Sequence, residues 1–179
     1  MQVWQFIHDK LTAGCTIQLL FVLQSEGSSP GRQGFKMAVS SDGEFCGTIG
    51  GGIMEQKLVG KAKHLLASNE IKIILQNQYH DKAHTKDQSG MICSGSQLNA
   101  FIPLTITDKA IVDEVLTNKQ NQSIHFSSTG ISIKAPPQQY FNFIDEINWE
   151  YAEPINQRSV IHIIGGGHVG LALSQIMSF

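Results

Sequence analysis

Gly47-Thr48-Ile49-Gly50-Gly51-Gly52-Ile53-Met54-Glu55 sets three consecutive glycines between an apolar strand and the first turn of a helix. In the helix that follows, Met54, Leu58, Ala62, Leu65 and Leu66 share one face, with Lys57, Lys61 and Lys63 outside it. On the other side, residues 35–40 and 44–49 read as two short strands, and Ser41-Asp42-Gly43 between them is a hairpin signal. Strand, hairpin, strand, glycine turn and helix in this order place the chain in the α/β class.

Further out, the same reading extends in both directions. Val3, Phe6, Ile7 and Leu11 recur at helical spacing, and Gly14 follows as a stop. Residues 15–24 form a buried strand, continuous in apolar side chains from Leu19 to Leu23. Cys15 and Cys46 fall in such strands and are expected to be inert packing residues. Downstream come a strand over 71–75, a polar loop over 77–88, a strand over 97–103 and an amphipathic helix over 108–116. A hairpin over 123–135 turns near Thr129-Gly130, and 140–147 reads as one more strand. The expected organisation is a mixed α/β N-terminal domain over 1–147 and a linker over 148–158 containing Pro154. The first strand and helix of a Rossmann-type domain occupy 159–179.

Composition narrows the function classes. Of 179 residues, 41% are hydrophobic, enough to build a core, and 15 acids against 13 bases leave a net charge of -2, which excludes a generally basic nucleic-acid binder. The longest uninterrupted apolar run, Leu19 to Leu23, is too short to span a bilayer. The N-terminus has no basic segment leading into an apolar one, so no signal peptide is expected. Three cysteines, an odd number, suit a reduced, cytoplasmic setting.

Four segments carry candidate chemistry. Gly50, Gly51 and Gly52 offer backbone N–H groups at a helix N-terminus, suited to an anion such as phosphate; a tight connection needing positive φ angles explains one glycine as well. Glu55 in the first turn either caps the helix or binds a ligand donor. Ser28, Ser29 and Arg32 lie in a small polar loop with Lys36 nearby; a guanidinium there grips phosphate bidentately or stands as a solvated surface charge. Cys93, between Gly90 and Gly95, is accessible as a nucleophile or soft-metal ligand, or is an ordinary loop residue. With His80 and His84 it makes a poor zinc site, because no second cysteine stands at close spacing. Gly165, Gly167 and Gly170 fill a G-x-G-x-x-G pattern between a strand and a helix. The acidic residue expected about twenty positions further on lies beyond Phe179, so useful NAD(P) binding by this chain is not expected.

These residues together resemble a known family. Glu26-Gly27-Ser28-Ser29-Pro30, Gly34-Phe35-Lys36-Met37, Gly47-Thr48-Ile49-Gly50-Gly51-Gly52 with Glu55, Met91-Ile92-Cys93-Ser94-Gly95 and Phe101-Ile102-Pro103-Leu104 resemble the XdhC/CoxI family. Ile164-Gly165-Gly166-Gly167-His168-Val169-Gly170 is similar to the start of that family's C-terminal Rossmann domain, here truncated. Ser94 departs from the glycine usual beside the cysteine. The resemblance implies an accessory protein rather than an enzyme. Such a chaperone binds the molybdenum cofactor, protects its sulfurated form, and passes it to xanthine dehydrogenase or a related molybdenum hydroxylase beside a cysteine desulfurase. Cofactor contacts are expected at Ser28, Ser29, Arg32, Lys36, Gly50, Gly51, Gly52, Glu55, Cys93, Gly165, Gly167 and Gly170, with Cys93 reaching the molybdenum. A homodimer is a further expectation. The rival readings are a fragment of an NAD(P)-dependent oxidoreductase and a docking module that touches no cofactor.

Overall fold

The computed structural model describes residues 2–79, 95–118, 120–155, 163–165 and 167–177. Two antiparallel sheets organise it. The first holds five strands in the order β3-β2-β1-β5-β4, with β1 Ile17–Gly27, β2 Lys36–Ser40, β3 Phe45–Gly47, β4 Ile74–Tyr79 and β5 Gly95–Leu104. The second holds four in the order β7-β6-β9-β8, with β6 Ser123–Ser127, β7 Gly130–Lys134, β8 Phe141–Phe143 and β9 Trp149–Pro154. Helices α1 Gln2–Thr12, α2 Gly52–Ala67, α3 Lys109–Thr117 and α4 His168–Ile176, with a 3-10 turn at Ile106–Asp108 leading into α3, complete the elements among the described residues. The mixed α/β class stands.

The apolar run in β1 has a specific cause. Ile17, Leu19, Phe21 and Leu23 face α1, α3 and the second sheet, while Leu20 and Val22 face α2. A strand covered on both faces has no solvent side, so alternation disappears even though all its neighbours are antiparallel. Burying each of these large side chains contributes about 1.5–3 kcal/mol. Phe21 stacks on Phe126 of β6 at 4.4 Å between ring centroids and lies 4.9 Å from Tyr151 of β9, which joins the two sheets.

Several boundaries differ from the sequence expectation. Residues 149–154, expected inside a linker, are strand β9: Ser123 to Ser127 pair with Pro154 to Glu150, and Phe141 to Phe143 pair with Tyr151 to Trp149. Trp149 is 4% exposed. The first globular unit therefore runs through Ile155, not 147. The expected strand over 140–147 is reduced to β8, because Asp145 accepts backbone bonds from Ile147 and Asn148 and turns the chain. Strand β4 starts at Ile74 and continues through Asn77, Gln78 and Tyr79, residues expected in a loop. Cys15 and Cys46 are partly exposed rather than core residues: Cys15 precedes β1, its Sγ 3.8 Å from Asp42, and Cys46 sits on the edge strand β3.

Candidate functional site

The glycine turn, the 28–32 loop and the start of β5 meet at one end of the first sheet. A β-bulge between Val22 and Gln24 shifts the β1–β5 register just before the loop, which redirects the chain there. The loop then folds back on β1: Gly34 donates to the Val22 carbonyl at 2.9 Å, Val22 donates to Phe35 at 2.9 Å, and Gln33 Nε2 donates to Leu23 at 2.7 Å. Contact with the glycine turn is backbone to backbone. A side-chain carbon on Gly31 would lie 2.2 Å from the Ile49 carbonyl oxygen, and one on Gly50 would lie 2.6 Å from the Gly31 nitrogen. One on Gly95 would lie 2.6 Å from the Glu26 oxygen and 2.9 Å from the Ser29 nitrogen. Glycine is required at these points because two main chains occupy the space of a side chain.

Gly50, Gly51 and Gly52 have φ of 127°, 78° and 70°, three successive left-handed positions. The turn does not present all its N–H groups to a ligand. Glu55 folds back from the first helical turn, and its Oε2 accepts from Thr48 Oγ1 at 2.6 Å, Ile49 N at 2.9 Å and Gly51 N at 3.1 Å. Thr48 Oγ1 in turn accepts from Gly50 N at 3.2 Å. The expected set of anion donors is narrowed: of the three glycines, Gly51 gives its N–H to the chain's own carboxylate and Gly50 gives its N–H to Thr48. Among the described residues, no atom would lie within 4 Å of a side-chain carbon on Gly51 or Gly52.

The loop residues separate into different roles. Ser28 and Arg32 are exposed, and the Arg32 guanidinium makes a long 3.4 Å contact to the Gly27 carbonyl. Ser29 is buried, and its hydroxyl donates to Gln97 Oε1 at 2.9 Å. Lys36 does not belong to the site. Its Nζ pairs with Glu153 of β9 at 2.9 Å and lies 5.4 Å from the Phe21 ring centroid, on the sheet face opposite α2. Beside that pair, burial and then the Glu153 charge push the Tyr151 phenol up to about 12.

Gln97 and Thr48 were not among the expected site residues. The sequence signal for Gln97 is a pair of amide side chains, Gln97 and Asn99, in the strand that continues into the apolar run from Ala100. Cys93, Ser94, His80 and His84 lie outside the described residues; Gly95, two residues after Cys93, is described. Among the described residues no group of three or more His, Cys, Asp or Glu side chains is placed to hold a metal ion. Gly165, Gly167 and Gly170 lie in the separate C-terminal segment, where residues 163–165 carry no strand. Gly165 has φ 121°, and a side chain on Gly170 would lie 2.8 Å from the Gly165 oxygen, the close helix-to-turn approach that a dinucleotide-type glycine turn requires.

The pattern of the XdhC and CoxI family matches residues 11–76, the stretch holding β1, the 28–32 loop, the glycine turn and α2. No curated protein matches the chain in sequence. The chain is similar to the crystal structure of a xanthine dehydrogenase from Bacillus halodurans at 20% identity, with a TM-score of 0.54 over 83% of this chain and 44% of that one. It therefore spans less than half of that protein's length, and at this identity the likeness concerns the fold alone.

Proposed function

We propose that this protein, whose residues 11–76 match the pattern of the XdhC and CoxI family, is an accessory factor that binds the molybdenum cofactor for a xanthine dehydrogenase or a related hydroxylase. The observation that carries the reading is the convergence of the 28–32 loop, the glycine turn and the start of β5, held together through Gly31, Gly50 and Gly95.

The residues fit such a ligand in part. Ser28, Arg32 and the face over Gly51 and Gly52, which no described residue covers, suit its phosphate, next to Glu55 rather than on the donors Glu55 already holds. Cys93 would supply a thiolate toward the soft metal. The cofactor contributes the redox chemistry of the hydroxylase that receives it; this chain's part is to hold and shield it. Delivery beside a cysteine desulfurase, and work as a homodimer, complete the reading.

The test is anaerobic titration of the full chain with isolated molybdenum cofactor, with inorganic phosphate as competitor. Saturable binding that phosphate weakens is expected; no binding overturns the reading. Cys93→Ala is expected to lower the cofactor bound per chain while leaving the thermal midpoint in place. A second reading, a fragment of an NAD(P)-dependent oxidoreductase, is favoured by the close approach of Gly170 to Gly165. Micromolar affinity for NAD(H) or NADP(H) by calorimetry would support it over the first.

A further inference from the structure

We propose that Gln97 is the positioning residue of this site: its amide holds the 28–32 loop and the 48–52 turn in one fixed relation to the start of β5, and ligand affinity depends on that relation. The dependence on affinity rests on the cofactor reading above; the positioning itself does not.

Gln97 is 1% exposed. Its Oε1 accepts from the Ser29 hydroxyl at 2.9 Å, and its Nε2 donates to the Ile49 carbonyl at 3.1 Å and to Asn99 Oδ1 at 2.7 Å. A residue that served only the sheet would spend these bonds within it. Two of the three leave the strand, one to each loop that faces the proposed ligand. The Ile49 residue is thereby held on both sides, its carbonyl by Gln97 and its N–H by Glu55. Gly31 marks the contact point, because a side-chain carbon there would lie 2.4 Å from Gln97 Oε1 and 2.2 Å from the Ile49 oxygen. Two residues earlier on the same strand, Gly95 lies against the Ser28 and Ser29 nitrogens.

The chemistry calls for an amide. The site needs an acceptor for a hydroxyl and donors for two oxygens from one buried, uncharged group, and a primary amide supplies both. Methionine has nearly the same length and would fill the space, but it leaves the Ser29 hydroxyl and the Ile49 carbonyl without this partner. Glutamate keeps the bond from Ser29 yet sets an acceptor against the Ile49 oxygen.

The experiment compares the parent chain, Gln97→Met and Gln97→Glu, with Phe126→Leu as a destabilised control in the second sheet. Hydrogen exchange reads the loops without any ligand. In the parent, the protected amides of segments 28–34 and 48–52 are expected to open with the same free energy, and clearly different opening energies would overturn the proposal even if no variant folds. In Gln97→Met both segments are expected to exchange faster together, whereas Gln97→Glu loosens the 48–52 turn more than the loop. Phe126→Leu, compared through its thermal midpoint, leaves both segments no more exposed than the rest of the first sheet. Anaerobic titration with isolated molybdenum cofactor then reads affinity, with a loss of about tenfold or more expected for Gln97→Met and little change for the control. A folded Gln97→Met with unchanged loop exchange, or with parental affinity, sinks the proposal. If the loops loosen together but the parent itself binds no cofactor, the positioning stands and the cofactor reading fails.

Discussion

Gly31 shows how little freedom a single position has in this site. Its backbone is not in the left-handed region, so alanine meets no conformational penalty there, only the Ile49 oxygen and the Gln97 amide. Gly31→Ala is expected to cost about 1–3 kcal/mol by forcing two main chains apart, read as a lower denaturation midpoint with an unchanged m-value. A loss below a few tenths would mean that the loops do not touch as described. Glu55 is the complementary case, a carboxylate that satisfies three donors from its own turn. Glu55→Ala removes the acceptor and is expected to cost about 1–3 kcal/mol. Amide exchange at Ile49 and Gly51 should quicken in the same variant; parental protection there would show that the carboxylate does not cap the turn.

Among the elements, α1 is tied to the β2–β3 hairpin by an ionic contact that changes with pH. Lys10 Nζ lies 2.5 Å from Asp42 Oδ2 and 2.7 Å from Glu44 Oε2. The Lys10 ammonium, mainly by its hydrogen bond, holds the Asp42 carboxyl down at about 2, below its ordinary 3.8. A carboxyl depressed in the folded state stabilises above its unfolded value, and that contribution is lost as pH falls through the folded one. The midpoint gap between the parent and Lys10→Met is therefore expected to hold steady from pH 5 to 8 and to close between about pH 4 and 2. On the alkaline side the raised Lys10 pKa keeps the gap open past 10.5. Salt should narrow it throughout, as for any exposed pair. A gap at pH 2.5 equal to that at pH 7 would contradict the assignment.

Taken as a whole, the molecule is two sheets joined by Phe21, Phe126 and Tyr151, with α2 on the outer face of the first. Strand β9 lies between β6 and β8, so the second sheet cannot close without it. A chain ending at residue 147 is expected to lose cooperative unfolding, since it deletes Trp149, Ala152 and the Tyr151 contact to Phe21. A chain ending at 155 is expected to melt like the parent, because no described residue of α4 is buried. Calorimetry of the two truncations checks both statements, and a cooperative, parent-like transition in the shorter one would return the boundary to 147.

What could be read along the chain was whatever local periodicity encodes. The helical phase of Met54, Leu58, Ala62 and Leu65, the Asp42-Gly43 turn and the apolar run of β1 all depend on neighbours a few residues away, and the structure keeps each of them. The candidate site was legible as loops: Ser28, Ser29, Gly50, Gly51 and Gly52 do come to one end of one sheet. Their division of labour was not. Lys36 reads as a phosphate ligand until Glu153, 117 residues away, claims its ammonium from the second sheet. Ser29 reads as a ligand until Gln97, 68 residues away, takes its hydroxyl. Trp149 to Pro154 reads as linker because its pairing partners belong to β6 and β8, and Pro154 is tolerated at the strand's end. Periodicity reports which side of an element is apolar. Which polar groups are left for a ligand depends on partners that only chain folding brings within three ångströms.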